Sequence, residues 1–212
     1  MSGLIRRLLV AATGLLCAAV CAATPDFAGA RASDDARYAA TRVLAGADQG
    51  KPFAIVDKNG ARIYVFDPAG RLAGAAAVLL GVGQGDASIP DIAGRSIASL
   101  TPQERTTPAG RFESAPGRND KGEEIVWIDY AQALAIHRLR PAAAHERRAA
   151  RLASATPGDN RISAGCIVVP VGFYESVIAP LLGSRRGVVY VLPETMPVEA
   201  LFDAIELGPA AH

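Results

Sequence analysis

Cysteine, histidine and aromatic side chains are scarce in this sequence of 212 residues: three Cys, three His, and 6% Phe, Trp and Tyr together. So few thiols and imidazoles, in no metal-ligand spacing, exclude a zinc finger or a disulfide-rich scaffold. An excess of one charge is also missing, since 22 Lys and Arg stand against 21 Asp and Glu. A near-neutral chain gives no electrostatic reason to expect nucleic acid as a partner. Internal repeats and low-complexity tracts are absent as well. What remains is half apolar and one-fifth charged, the composition of a globular chain of one domain with short appendages.

Residues 1–23 carry a basic start at Arg6 and Arg7, an apolar run over 8–20 and small residues at the end. This is the order of a secretory signal peptide, and the run is shorter than the roughly 20 residues that span a bilayer. Export with cleavage after Ala22 or Ala23 is expected, placing the protein in the periplasm or at the cell wall. Cleavage removes Cys17 and Cys21 and leaves one thiol, Cys166, where paired cysteines are oxidised. A lone thiol there is either a small buried hydrophobe or a nucleophile kept free.

The mature chain reads as a lead-in at 24–50, a β-rich unit at 51–195, and a C-terminal helix and tail at 196–212. Ser33 before Asp34 and Asp35 predicts a capped helix stopped by Gly46. From Pro52, short β-favouring runs alternate with turn chemistry (FAIVD, KNG, ARIYVF, DPAG, RLAGAAAVLLGVG), the pattern of a β-meander. A polar loop over 84–106 precedes strands at RFESA, EIVWIDY and ALAIHRL. The Ala- and Arg-rich stretch 141–155 predicts an inserted helix, ISAGCIVV one buried strand, and Pro170 a helix running to Leu182. GVVYVLP supplies a last strand. Val198, Leu201, Phe202 and Ile205 then share one face of a final helix.

Few residues are left to carry chemistry. GVGQG at 81–85 lacks the Lys-Ser/Thr of a phosphate loop, and no G-x-S-x-G occurs, so nucleotide and serine-hydrolase sites are not supported. His212 is terminal, and His145 sits in an Arg-rich helical stretch. His137 closes the β-run ALAIH, where a strand end presents a side chain at a rim. A thiol that is mostly protonated at neutral pH needs such an imidazole nearby to become a thiolate. A core histidine bound to a backbone carbonyl is the alternative reading of His137.

TTPAGRF at 106–112, IHRL around His137 and ISAGCIVVP at 162–170 resemble the L,D-transpeptidase catalytic-domain family, which builds bacterial peptidoglycan. The resemblance covers about residues 52–193, in order and residue type at Thr107, Pro108, Gly110, Phe112, His137, Ser163, Gly165, Cys166 and Ile167. It implies a mainly β fold, a sandwich or barrel-like catalytic domain with a few peripheral helices. It also implies Cys166 as nucleophile, His137 as base, and the Arg138 carbonyl as the group that orients the imidazole. Backbone amides at Gly165 and Cys166 would bind the oxyanion. Ser163, Arg161 and Asn160 become candidate substrate contacts, within a wider set of arginines (138, 140, 147, 148, 151, 161) suited to peptide carboxylates.

The implied activity joins two stem peptides 3→3 through a Cys thioester, with no metal or other cofactor, in a monomer whose partner is peptidoglycan and whose output bears on cell shape. Ala164 stands where the family has His, and Val168 where it has Arg or Asn. Those departures motivate one alternative on the same fold, a wall-binding scaffold without catalysis; an L,D-carboxypeptidase, in which water resolves the thioester, is a further alternative that keeps the same Cys and His.

Overall fold

The lead-in is tied to the sheet by its own side chains. In the computed structural model, which describes residues 25–46, 48 and 50–207, the Ser33 hydroxyl accepts the Ala36 N–H at 3.1 Å and opens α1 (Asp34–Ala45). The expected leader at 1–23, with Cys17 and Cys21, lies outside the described residues, as does His212. Among the described residues, no helix is long and apolar enough to cross a membrane.

The meander forms as expected: β1 (Phe53–Asp57), β2 (Arg62–Phe66), β3 (Leu72–Ala77) and the short β4 (Leu80–Gly81). Then come β5 (Gly110–Arg118), β6 (Glu124–Asp129), β7 (Leu134–Arg138), β8 (Arg161–Ser163), β9 (Ile167–Val169) and β10 (Gly187–Val191). Eight of them make one sheet in the order β3-β2-β1-β10-β5-β6-β7-β9, and β4 pairs separately with β8. β5 does double duty: residues 110–114 pair with β10 and residues 115–118 with β6. Pro116, which has no N–H to donate, lies in the half paired on one side only. The sheet therefore folds over at β5. Val168 of β9 bridges back to Leu79 through two backbone bonds of 2.8 and 2.9 Å, so the two ends of the sheet nearly meet.

Between the two halves lies an apolar interior. Val56, Ile63, Val65, Val126, Ile136, Ile167, Val169 and Val189 line it, each worth about 1.5–3 kcal/mol when fully buried. Tyr174, Ile178 and Leu182 plug it from a helical rod in which α3 (Val171–Phe173), a π-turn (Tyr174–Ile178) and α4 (Ala179–Leu181) run on from Pro170. The outer face of β1, β2 and β10 is covered by Phe27, α1 and α5 (Val198–Leu207). This is the mainly β architecture with peripheral helices that the sequence leads one to expect.

Two local expectations need correction. The inserted helix over 141–155 shrinks to a 3₁₀ turn (Ala144–Glu146) and α2 (Arg148–Leu152), because Arg147 takes φ +49° between them and breaks the helical path. ISAGCIVV is two strands rather than one. Gly165 at φ +131° turns the chain between β8 and β9, so Cys166 sits at a bend instead of inside a ladder.

Candidate functional site

The pairing of β7 with β9 brings the segments that carry the two candidate catalytic residues side by side. β7 and β9 are parallel neighbours, with Ile136 opposite Ile167 and His137 opposite Val168. Ile136 and Ile167 both point into the interior, so His137 and Val168 share the opposite face, and Cys166 stands at the bend immediately before β9. The Cys166 thiol is half-buried and lies 3.5 Å from the Ala133 carbonyl, in the turn leading into β7.

His137 is buried, and its Nδ1 is 2.8 Å from the Arg138 carbonyl. A carbonyl only accepts, so in the neutral ring Nδ1 carries the hydrogen and Nε2 keeps a free lone pair. Burial depresses its pKa from the ordinary 6.5 to about 4; the Arg138 bond opposes this, and the nearby Arg140 charge reinforces it. Burial likewise pushes the Cys166 thiol up, against a smaller downward pull from an Ala135 backbone bond and the Arg140 charge. At neutral pH the resting pair is thus an uncharged thiol and an uncharged imidazole.

The bend holding Cys166 is fastened at three points. Ser163 Oγ donates to the Cys166 carbonyl at 2.7 Å and accepts the Gly165 N–H at 3.1 Å. Thr107 Oγ1 donates to the Gly165 carbonyl at 2.7 Å and accepts the Gly81 N–H at 2.9 Å. A Cβ at Gly165 would lie 2.9 Å from the Thr106 carbonyl oxygen, so only glycine fits that close approach. The Gly165 amide, one of the two oxyanion amides expected from the sequence, is bound to Ser163 Oγ in this structure.

The other candidates fall elsewhere. Asn160 is buried, donates Nδ2 to the Val78 carbonyl at 2.8 Å, and leaves Oδ1 without a partner. Arg161 is engaged inward, with Glu194 and with the Lys58 carbonyl at 3.1 Å. Arg138 lies over the Tyr174 ring at 4.5 Å and near Glu123 and Glu175; Arg140 pairs with Glu123 at 2.6 Å, and Arg148 with Glu146. Acidic partners therefore neutralise much of the arginine cluster. Two open grooves lie at opposite ends of β7. One, of about 540 Å³, runs between 86–91, 108–110, Phe112 and Ala131–Gln132; the other, of about 500 Å³, is lined by 139–144 and 147–150. Among the described residues no cluster of His, Cys, Asp and Glu suits a metal.

Sequence reading missed Lys58, Asp86 and Glu194, which form a buried ionic knot with Arg161. In the sequence Lys58 looked like an ordinary turn residue in KNG.

No protein-family profile matches the chain, and comparison with curated proteins finds no match. Among solved structures it is similar to the helical cell shape determining protein Pgp2 from Campylobacter jejuni, with 15% identity, a TM-score of 0.44, and coverage of 69% of this chain and 49% of that one. It is also similar to an L,D-transpeptidase from Mycobacterium tuberculosis H37Rv (16% identity, TM-score 0.42, 66% and 57% covered). The catalytic domain of the E. faecium L,D-transpeptidase matches with 18% identity and a TM-score of 0.37 over 69% of this chain and 100% of that one. The chain spans about half the length of the Pgp2 chain. Likeness at this level carries no chemistry, which has to come from the site.

Proposed function

We propose that the protein is a cysteine acyltransferase of the bacterial envelope, an L,D-transpeptidase acting on peptidoglycan stem peptides. The carrying observation is the placement of Cys166 immediately before β9, the strand that pairs with β7 and sets Val168 opposite His137, with the imidazole held through Nδ1 by the Arg138 carbonyl so that Nε2 is free to take a proton. Cys166 Sγ attacks the carbonyl carbon of the third stem residue while His137 Nε2 takes the thiol proton. The Cys166 amide stabilises the oxyanion. The C–N bond to the terminal D-Ala breaks, the proton passes from His137 to the departing amine, and a thioester remains. The amine of a second stem then attacks the thioester, loses its proton through His137 to Sγ, and a 3→3 amide forms.

Attack by water in place of the amine gives L,D-carboxypeptidase activity at the same site. Export through the 1–23 leader places the enzyme in the periplasm, acting as a monomer on the wall. Asn160 and Arg161 act in this reading by shaping β8 rather than by touching peptide, and Ser163 holds the Cys166 bend. Because Ala164 and Val168 depart from the family pattern beside Cys166, a wall-binding scaffold is the second reading.

Intact mass spectrometry of residues 24–212, wild type and Cys166→Ala, incubated with a disaccharide-tetrapeptide, tests the proposal. An adduct on wild type alone with loss of D-Ala is expected, and dimeric or tripeptide muropeptides then distinguish transfer from hydrolysis. No adduct and no product from neutral to alkaline pH would leave the scaffold reading.

A further inference from the structure

Lys58 is the most completely buried cation of the described chain, and its ammonium is spent to the last proton. Its Nζ lies 2.6 Å from the Gly85 carbonyl, 2.8 Å from Asp86 Oδ1 and 3.0 Å from the Thr107 carbonyl, with Glu194 Oε1 at 3.5 Å. Asp86 in turn accepts the backbone N–H groups of Glu194 and Thr195 at 2.8 and 2.9 Å, and Glu194 Oε1 accepts the Gly85 N–H at 2.9 Å. Burial pushes the Asp86 carboxyl up, but Lys58, Thr195 and these amides outweigh it and hold it well below the usual carboxylate range. Arg161, paired with Glu194, completes a set of two cations and two anions.

Such a knot is costly to desolvate and gives weak stability compared with an apolar replacement, so its placement matters more than its charge count. Both of its arms end on the Cys166 bend. Lys58 grips the Thr107 carbonyl, and the Thr107 hydroxyl holds the Gly165 carbonyl. Arg161 opens β8, whose last residue, Ser163, holds the Cys166 carbonyl. The knot also fixes Asp86, which borders the 540 Å³ groove.

We propose that Lys58 is a positioning residue for the Cys166 thiol: through Thr107 it sets the Gly165–Cys166 peptide, and so the place of the sulfur at the entry of β9. The inference rests on Cys166 being the nucleophile, and it is tested by a readout that does not need acyl transfer.

Iodoacetamide alkylation of Cys166 is followed against pH, together with kcat and KM for the tetrapeptide donor, in Lys58→Met, Thr107→Val and Thr107→Ser. A Phe202→Ala variant, on the far side of the sheet in α5, controls for lost stability. Freed from its bend, the thiol becomes more exposed, so Lys58→Met and Thr107→Val are expected to move the alkylation midpoint down towards the ordinary thiol range. They are also expected to lower kcat on the order of 10–100-fold, with KM within about twofold. Thr107→Ser, which keeps the hydroxyl, should restore the wild-type midpoint, and Phe202→Ala should leave it unmoved. An unmoved midpoint in both Lys58→Met and Thr107→Val, or an equal shift in Phe202→Ala, overturns the proposal. If Lys58→Met does not fold, the Val and Ser variants of Thr107 decide it. If wild type transfers no acyl group yet the midpoint still moves, positioning stands and the transferase reading falls.

Discussion

Gly165 shows how much of a reactive bend can depend on the absence of one carbon. Its φ of +131° lies where side chains are strained, and the Thr106 carbonyl stands 2.9 Å from where a Cβ would be. Gly165→Ala is therefore expected to cost about 1–3 kcal/mol in backbone strain alone, with more from the clash, and to displace the Cys166 amide and sulfur. Urea unfolding should report the first effect and iodoacetamide reactivity the second. Wild-type reactivity in a folded Gly165→Ala protein would mean that the bend does not place the thiol. His137 was legible in the sequence as a rim imidazole at a strand end. The Arg138 carbonyl as its partner was implied by the family resemblance, whereas its burial became visible only with β9 packed beside β7.

At the scale of elements, the α1 and α5 layer stabilises without entering the site. Phe202 is buried, stacks on Tyr190 with centroids 5.7 Å apart, and meets Tyr38 edge-on at 5.8 Å. Truncation to Phe202→Ala should cost about 3–5 kcal/mol, measured as a shift in the urea midpoint. The reason α5 was readable in advance is local: its apolar residues recur at i, i+3, i+4 and i+7, and that periodicity survives in the structure as one face against the sheet. The 141–155 stretch misled for the complementary reason. Ala and Arg favour helix residue by residue, yet the segment buries little against the body and breaks at Arg147 with φ +49°. Helical composition without a face to bury yields only two short helical pieces.

For the molecule as a whole, one buried imidazole sets a pH dependence. His137 titrates near 4 when folded and near its ordinary 6.5 when unfolded. As pH falls from 6.5 to 4, the unfolded chain binds the proton first, so stability present above 6.5 is progressively lost, by about 3 kcal/mol on completion. Denaturation by urea at pH 7 and pH 4.5 should show this loss, and His137→Gln should flatten it. An equal slope in that variant would assign it to other groups. Asp48 and Asp86 contribute only further down. The Asp48 carboxylate, gripped by the Arg111 guanidinium at 2.7 Å through both oxygens and by Tyr190, is held well below the usual range, so its contribution is lost in stronger acid.

The order of strands and helices, the capped start of α1, the apolar face of α5 and the residue types Cys166 and His137 were determined by sequence alone, because each rests on neighbours a few positions away. Tertiary structure alone decided which strands are adjacent, that β5 divides itself between two halves, and that Gly165 splits one apolar run into two strands around the thiol. It also decided that a lysine in a turn sequence becomes the hub of a buried ionic knot. Those facts depend on groups separated by up to 136 positions, from Lys58 to Glu194, that meet only when the sheet folds over. No local pattern in the chain encodes the low-dielectric surroundings that their meeting creates.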